Sequence, residues 1–384
     1  MNIEEIRTEF PYLATGRIYL NHAATGPWPL SAEKKVREIQ DEFVRGEVEV
    51  YPRVRRTIEE TRSMAAEMIG CDPANIAFVQ NTTEGLNVLA AGLPWRPGDR
   101  IVIPEREFPA NVYPFLNLVR RGVEIDFVPL RNGVVGAGDI MRAVRPRTRL
   151  VAVSWVQFLS GYTIDLGALS DFCSSRGILL SVDAIQGIGA LRLDLRSTPV
   201  DFLSAGVQKW QLGPQGLAII SVSERARAMI RQAHVGWLSV PHAWDFFAYR
   251  LELYEDARRY ENGTYNTIGI YGYHGALSLF RSVGYGEVER SVRANADYAW
   301  ERAVEAGFDV ITPAEPPHRA GIVTFRNEHA ERVADRLQQR GIVVSARSGH
   351  LRISPHYYNT REEIDAAFDA LMEEIGGTRS RGRV

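Results

Sequence analysis

The chain has 384 residues, of which 45% are hydrophobic and 24% charged, and its formal net charge is −2. These values are typical of a globular protein with room for two domains, and they exclude the strongly basic surface of a nucleic-acid-binding protein. The two cysteines, Cys71 and Cys173, are too few for a disulfide framework or a structural zinc site. The sequence lacks an apolar run of membrane-spanning length and a signal-peptide pattern, so we expect a cytoplasmic protein with no membrane or nucleic-acid partner.

Short apolar runs rich in β-branched residues alternate with segments of helical periodicity through the first part of the chain. Continuous apolar strands separated by helices indicate a mostly parallel sheet that is covered on both faces, as in α/β proteins. The predicted strands are IAFVQ from 76, IVIPE from 101, EIDFVPL from 124, RLVAVSW from 149, ILLSVDA from 178, DFLSAGV from 201 and LAIISVS from 217.

The pattern changes after about Gly263. A long helical region, from about Thr267 to Glu305, precedes short strands and two further helices, which predicts a smaller C-terminal α+β domain. We therefore expect an N-terminal segment that packs on the small domain, a large cofactor-binding domain, a connecting helical region, the small domain and a disordered tail. The predicted limits are 1–20, 21–265, 266–300, 301–375 and 376–384.

Polar residues follow three of the predicted strands, at the sheet edge where α/β proteins bind ligands. The stretch NTTEG, 81–85, begins a predicted helix whose free N–H groups suit a phosphate, although ordinary helix capping uses the same residues. Asp183 follows the next such strand and is either a structural cap or ion partner, or a ligand group. Lys209 is either a surface lysine or a buried functional amine.

A phosphate cup, a carboxylate and a buried lysine are together what pyridoxal 5′-phosphate requires. The lysine forms a Schiff base with the cofactor, and the carboxylate keeps the pyridine nitrogen protonated so that the ring accepts electrons. Burial also lowers the pKa of an amine, which makes it a better nucleophile and proton shuttle.

The chain resembles the class V aminotransferase family of fold-type I pyridoxal-phosphate enzymes from about Ile18 to Met372. This family includes cysteine desulfurases, selenocysteine lyases, isopenicillin-N epimerase-like proteins and transaminases. The resemblance implies a fold-type I architecture, an amino-acid substrate and a homodimer with shared active sites. Eight motifs occur in the family's order: IYLNHAATGP, NTTEGLN, EFPAN, SWVQFLSGYTIDL, SVDAIQ, VQKWQLGPQG, YENGTYNT and RISPHYYNT.

The same resemblance assigns roles to individual residues. Lys209 matches the Schiff-base lysine, and Asp183 matches the partner of the pyridinium nitrogen. Arg352 matches the arginine that binds the substrate carboxylate, and no metal site is implied. The remaining cofactor contacts are Thr82, Thr83, Phe108, Gln157, Gln186, Gln208 and, from the neighbouring subunit, Thr264. Further candidates for substrate contacts are His22, His356 and Trp237.

Cysteine desulfurases of this family carry a nucleophilic cysteine on a loop before the carboxylate-binding arginine. The corresponding stretch, SARSGHLRISPH, has none. We therefore expect an aminotransferase that acts at the Cα of an amino acid through a Lys209 Schiff base and a quinonoid intermediate. The alternatives are a cysteine-free C–S or C–Se lyase, then an amino-acid epimerase, and outside catalysis a silent pyridoxal-phosphate-binding protein. A Rossmann oxidoreductase is disfavoured because the chain lacks a GxGxxG fingerprint.

Overall fold

The computed structural model describes residues 3–131 and 133–381. Its strands, in chain order, are β1 Ile18–Tyr19, β2 Ile76–Val79, β3 Arg100–Pro104, β4 Glu124–Val128, β5 Thr148–Ser154, β6 Leu179–Asp183, β7 Phe202–Gly206, β8 Ala218–Val222, β9 Val323–Arg326, β10 Ile342–Val343, β11 Ser345–Arg347 and β12 His350–Ile353. Its α-helices are α1 Ile3–Arg7, α2 Leu30–Arg45, α3 Tyr51–Ile69, α4 Thr82–Gly92, α5 Tyr113–Leu116, α6 Ala137–Ala143, α7 Leu166–Ser175, α8 Glu224–Met229, α9 Thr267–Val283, α10 Tyr285–Glu305, α11 Ala330–Gln339 and α12 Arg361–Arg381.

All seven predicted strands join one sheet, in the order β2-β8-β7-β6-β5-β3-β4. Neighbouring strands are parallel except where β8 pairs antiparallel with β2 and β7. The predicted α/β class with a mostly parallel sheet is thus confirmed. Because β2 to β7 all run in the same direction, their carboxyl ends meet at one edge of the sheet.

Side chains of the sheet enter two separate cores, one on each face. In β3, Ile101 and Ile103 pack in one core and Val102 in the other, as the alternation of side chains along a strand requires. Helices α4 and α5 cover one face through Leu86 and Phe115, and helices such as α7 and α9 cover the opposite face. Both faces of the central strands β5 to β8 are covered, which explains their continuous apolar composition, whereas the edge strand β4 is partly exposed and carries Glu124 and Asp126.

The C-terminal part of the chain forms a three-stranded antiparallel sheet in the order β11-β12-β9, packed on α10, α11 and α12. Strand β1 pairs in parallel with β10, Ile18 opposite Ile342, and so attaches the N-terminal segment to this unit. The helical region that follows the large sheet is two helices, because Gly284 takes a positive φ of 89° between α9 and α10.

The limits of the predicted domains stay predictions. The pairing of β1 with β10 is consistent with an N-terminal segment that packs on the small domain. Helix α12 extends as far as Arg381. The end of the predicted tail, 382–384, lies outside the described residues. Within the described ranges no helix is long and apolar enough to span a membrane.

Candidate active site

Asp183 ends β6 at the carboxyl edge of the sheet and is only 2% exposed. One carboxylate oxygen accepts a hydrogen bond from the backbone N–H of Ile185 at 3.0 Å. The second oxygen has no hydrogen-bond partner among the described residues. Burial raises the pKa of Asp183 to about 6, against the opposing effect of that one hydrogen bond and of the nearby charge on Lys209. A buried carboxylate with a free oxygen suits a ligand that offers a proton or a positive charge.

Lys209 follows the end of β7 by three residues and is brought to Asp183 because β6 and β7 are parallel neighbours. Its side chain is partly buried, and its Nζ lies 5.7 Å from the centroid of the Phe108 ring. Burial lowers the pKa of Lys209 to about 8, with Asp183 opposing the shift and Arg352 and Arg347 adding to it. About a tenth of this amine is therefore unprotonated at pH 7, far more than for an ordinary lysine, and this favours nucleophilic and proton-transfer chemistry.

Two aromatic rings form a wall beside Lys209. Phe108 is 43% exposed, and its ring meets that of Phe158 edge to face, with centroids 5.4 Å apart. The exposed face of Phe108 can stack on a flat heteroaromatic ligand, as the resemblance implied. Phe158 was not among the predicted site residues; its position next to Gln157 in the motif SWVQFLSG was the available signal.

Gln157, by contrast, stabilises the loop. Its Nε2 donates to the carbonyl of Arg106 at 2.9 Å, and its Oε1 accepts from the backbone N–H groups of Leu159 and Ser160, both at 2.7 Å. These bonds position the backbone of Phe158. The predicted contact from Gln157 to a cofactor is therefore not part of the site that we propose below.

Arg352 is a buried cation without a counter-ion. It lies in β12 and is 2% exposed; its Nε donates to Ser345 Oγ at 3.2 Å and its Nη1 to the carbonyl of Phe158 at 2.7 Å. Within the described residues it forms no ion pair. Burial, with a contribution from Arg347, lowers the pKa of Arg352 to about 9. A carboxylate from a ligand would satisfy this guanidinium, since arginine binds carboxylates in bidentate geometry.

The N-terminus of α4 lies at the same edge of the sheet. Asn81 caps the helix by accepting a hydrogen bond from the N–H of Glu84 at 2.9 Å. The backbone N–H groups of Thr82 and Thr83 have no partner in the part of the chain that the structure describes. Thr82 Oγ1 accepts from the N–H of Gly206 at 2.9 Å, which fixes the helix terminus against the end of β7. Free N–H groups at a helix start form an anion site.

Gln208 belongs beside this anion site. Its side-chain amide has no hydrogen-bond partner among the described residues, and it lies directly over Gly206, where any side chain would collide with it. Ser204 lies in β7, two residues before Gly206. Its hydroxyl is not available to an anion, because its Oγ donates to the carbonyl of Thr82 at 3.0 Å. The free amide of Gln208 is thus available to an anion held by α4.

Three predicted residues already have partners inside the protein. Gln186 accepts from Trp210 Nε1 at 2.8 Å and donates to the carbonyl of Ala23 at 2.9 Å, which leaves it one N–H. His22 Nδ1 donates to the carbonyl of Ser354, and its Nε2 accepts from the hydroxyl of Tyr358. The partners of His356 are the carbonyl of Trp210 and the backbone N–H of Tyr357. Both histidines are fully buried in an aromatic cluster, so neither ring has a nitrogen left for a substrate.

Trp237 and Thr264 lie on the surface of the described chain. Trp237 is 42% exposed and meets Trp244, with ring centroids 5.4 Å apart. Thr264 is an exposed loop residue beside a cavity that Glu84 and Asn87 of α4 also line. Its predicted contact with the phosphate of a neighbouring subunit, and the homodimer itself, stay predictions.

These features suit pyridoxal 5′-phosphate. The free oxygen of Asp183, the exposed face of Phe108, the amine of Lys209 and the unpaired N–H groups of α4 offer one complementary group each to its pyridinium, ring face, aldehyde and phosphate. Within the described residues no group of three His, Cys, Asp or Glu side chains could hold a metal ion. The fold and this donor set define an α/β enzyme of the pyridoxal-phosphate type.

Comparison with known proteins identifies the family. The Aminotransferase class-V family matches residues 18–367. A probable cysteine desulfurase of Methanothermobacter thermautotrophicus is 30% identical, with 98% of this chain and 99% of the relative aligned. The chain therefore belongs to the class V aminotransferase family, whose members depend on pyridoxal 5′-phosphate, and both expectations are confirmed.

Solved structures share the fold. The apo cysteine desulfurase from Thermococcus onnurineus NA1 superposes with a TM-score of 0.88 at 24% identity, covering 97% of this chain and 98% of its own. The cystine C–S lyase C-DES, solved in complex with its product cysteine persulfide, gives a TM-score of 0.86 at 22% identity, covering 94% and 98% of the two chains. A C-DES variant holds glycine covalently linked to the pyridoxal-phosphate cofactor.

Proposed function

We propose that this protein is a pyridoxal-phosphate-dependent C–S lyase that releases a sulfur substituent from the Cβ of an amino acid without a protein persulfide. The proposal rests on the hairpin beside Lys209. Strands β11 and β12 are joined by only Ser348 and Gly349, whose φ angles of 49° and 75° are those of a tight two-residue turn. No room for a longer loop with a nucleophilic thiol exists between these strands.

The two cysteines are poor candidates for that thiol. Cys173 is 1% exposed in α7, and burial raises its pKa to about 12. Cys71 lies after α3, and burial raises its pKa to about 11 despite a hydroxyl contact from Ser221. Only a thiolate attacks sulfur efficiently, so neither side chain is suited to accept a sulfur atom. The relatives described as cysteine desulfurases and as a cystine C–S lyase support sulfur amino acids as substrates.

The residues of this chain would divide the work as follows. When bound, the cofactor supplies an electron sink that stabilises negative charge at the substrate Cα. Lys209 would hold it covalently, Asp183 would face its pyridine nitrogen, and the N-terminus of α4 with Gln208 would bind its phosphate. Arg352 binds the α-carboxylate of the substrate and so fixes the Cα near Lys209.

The chemical balance of the elimination is simple. Once the substrate amine has replaced Lys209 on the cofactor, the freed Nζ would take the proton from Cα. The electron pair left at Cα would form a double bond to Cβ, and the sulfur would leave with the electrons of the Cβ–S bond as a thiolate or persulfide. Water then completes the reaction, and the carbon skeleton and nitrogen leave as pyruvate and ammonia. The lowered pKa of Lys209, about 8, supports its role as the proton acceptor at neutral pH.

The test is to record the visible spectrum of the purified protein with the cofactor and to assay products with cystine, cysteine, alanine and glutamate, using Lys209→Ala as the control. Pyruvate and a persulfide or sulfide from cystine, with the yellow cofactor band retained, would support the lyase. Stoichiometric bleaching to the pyridoxamine form without sulfur release would instead establish the predicted transamination. If the protein binds the cofactor but forms no product from any of these amino acids, the remaining interpretation is a catalytically silent pyridoxal-phosphate-binding protein.

A further inference from the structure

Glu107 is an acidic residue beside the site that the proposed mechanism does not use. It lies three residues after the end of β3 and directly before Phe108, in the motif EFPAN. Arg106, the preceding residue, takes a positive φ of 57°, which is uncommon for a residue other than glycine, and its carbonyl accepts the hydrogen bond from Gln157. Such backbone strain is concentrated at functional sites, so the side chains that follow Arg106 require a functional explanation.

One residue at the end of β5 binds the carboxylate of Glu107. Glu107 Oε1 accepts a hydrogen bond from the backbone N–H of Ser154 at 2.7 Å, and Glu107 Oε2 accepts one from the hydroxyl of the same residue. Within the described ranges no cation forms an ion pair with Glu107. A glutamine could make contacts with the same two groups without removing a charge from water, so the hydrogen bonds alone do not account for an acid at this position.

Ser154 connects Glu107 with Asp183. The strands β3, β5 and β6 are consecutive in the sheet, and Ser154 is directly paired with Asp183, so these two side chains leave the same face of the sheet about 5 Å apart. Ser154 donates its one hydroxyl proton to Glu107 and therefore not to Asp183, whose second oxygen has no partner among the described residues. Two carboxylates thus lie at the ends of nearby strands, and Asp183 keeps an oxygen for a ligand.

The surroundings of Glu107 allow it to gain or lose a proton near neutral pH. Burial, with a contribution from the negative charge of Asp183, raises the pKa of Glu107 to about 7, against the opposing hydrogen bonds from Ser154 and the backbone of Phe108. Glu107 also lines a cavity of about 110 Å³, which is large enough for water. The other ionisable residues around this cavity are Glu105, Arg106, Tyr162, Arg326 and His350.

We infer that Glu107 is a positioning residue that acts through Asp183: a negative charge on Glu107 strengthens the hold of Asp183 on a protonated pyridine nitrogen. Two neighbouring carboxylates repel each other, and a cation beside Asp183 relieves that repulsion, whereas a neutral ring does not. Because Glu107 and Phe108 are adjacent, one short loop supplies both this charge and the aromatic face beside Lys209. The inference rests on the proposed role of Asp183 and adds a second acid to it.

The first experiment compares pyridoxal 5′-phosphate with its 1-deaza analogue, in which carbon replaces the ring nitrogen. Dissociation constants of both are measured by equilibrium dialysis at pH 8, where Glu107 is mainly ionised. The wild type should favour the natural cofactor, and Glu107→Gln should lower this preference by about 5-fold or more, because it removes the charge and keeps the shape. The control Glu105→Gln, which removes an exposed carboxylate from the same loop, should keep the wild-type preference.

Unfolding of the cofactor-free protein tests the coupling between the two acids directly. The folded pKa of Glu107, about 7, lies above its ordinary value of 4.5, so its contribution to stability is full below about pH 4.5 and is lost as the pH rises through 7. The stability of the wild type relative to Glu107→Gln should therefore fall over this range. In the Asp183→Asn background the same fall should occur at a pH lower by about half a unit or more, because the repelling charge is absent.

The outcomes separate this inference from the rest of the proposed function. A difference between the wild type and Glu107→Gln that does not vary with pH, or that has the same midpoint in Asp183→Asn, would show that Glu107 only packs and would overturn the inference. A cofactor preference that is lost in Asp183→Asn but unchanged in Glu107→Gln would also overturn it and leave the role of Asp183 intact. Equal binding of the two cofactors by the wild type would reject both roles, while pyruvate formation from cystine would still decide the lyase.

Discussion

The pocket around Lys209 and the pair Arg62–Glu261 both bury charged side chains. The two regions differ in whether these charges have partners within the protein. Arg62 and Glu261 are 2% and 3% exposed and form a bidentate ion pair, with distances of 2.6 and 3.0 Å. The same carboxylate also accepts from the backbone N–H of Phe78 and from the hydroxyl of Tyr265, both at 2.8 Å. Each oxygen of this carboxylate is thus satisfied from within the chain.

In the Lys209 pocket, by contrast, partners are lacking. Among the described residues, Arg352 has no carboxylate partner, and one oxygen of Asp183 accepts no hydrogen bond. Leaving a buried charged group unpaired is costly, and structures retain such groups where a ligand completes them. The contrast shows that the pairing of buried charges, rather than their presence, separates a ligand site from a structural ion pair.

The largest expected effect is on catalysis at the unpaired site. Lys209→Ala should lower the rate of pyruvate formation by about 10³-fold or more, because it removes the proton acceptor at Cα. Its free energy of unfolding should equal or exceed that of the wild type, because a buried amine is lost. Steady-state kinetics and urea unfolding measure the two quantities. A marked loss of stability would mean that Lys209 is structural, and the contrast between the two regions would fail.

Substitutions in the ion pair Arg62–Glu261 should instead lower the stability of the fold. Glu261→Gln leaves the buried Arg62 with only the half-exposed Glu59, at 3.2 Å, as a counter-ion, and should lower the free energy of unfolding by up to about 3–5 kcal/mol. Replacing both residues by methionine should recover much of this loss, because a buried ion pair often exchanges for apolar groups without penalty. Urea unfolding of the single and double variants measures the difference. A change well below 1 kcal/mol in Glu261→Gln would show that the pair is more hydrated than its burial indicates.

The pH dependence of stability should have opposite signs at Asp183 and at the buried histidines. Asp183 has a folded pKa of about 6, above its ordinary value, so in the cofactor-free protein it stabilises the folded state increasingly as the pH falls towards 4. His356 has a folded pKa of about 3, lowered by burial, so below its ordinary value of 6.5 the unfolded state binds the extra proton and stability falls.

Unfolding free energies of the wild type, Asp183→Asn and His356→Gln between pH 7.5 and pH 4.5 test these signs. On acidification the wild type should gain stability relative to Asp183→Asn and lose it relative to His356→Gln. Each effect should be at most about 1.4 kcal/mol per pH unit. Parallel pH curves for all three proteins would show that neither group titrates as its burial requires.

The smallest expected effect concerns sulfur transfer. The double variant Cys71→Ala, Cys173→Ala should keep its rate of sulfur release from cystine within about twofold of the wild type, because neither thiol lies beside Lys209. The rate is normalised to bound cofactor, so that a modest loss of packing at Cys173 does not enter the comparison. A drop of about 10-fold or more would show that one of the two cysteines carries the sulfur as a persulfide, and it would reject the cysteine-free lyase.

The amino-acid sequence by itself determined the architecture and the centre of the site. Apolar runs of five to seven residues that alternate with helical segments are typical of a covered, mostly parallel sheet, and all seven runs contribute a strand to that sheet. Parallel strands bring their carboxyl ends to one edge, so Asp183 and Lys209 could be expected to meet there. The order of the eight motifs along the chain indicated the family. Each of these motifs lies at the end of a strand or the start of a helix.

Only the tertiary structure decided which polar side chains remain available to a ligand. His22 and His356 lie in the family's motifs, yet distant segments satisfy their ring nitrogens. Gln157 also lies in a motif, and its own loop and Arg106 satisfy its amide, whereas Phe158 lies beside Phe108 because of the loop geometry. Local sequence specifies the type of a side chain and its periodicity. For His22 and His356, partners of the ring nitrogens are contributed by residues more than 100 positions away, and these contacts exist only once the two parts of the chain have packed together.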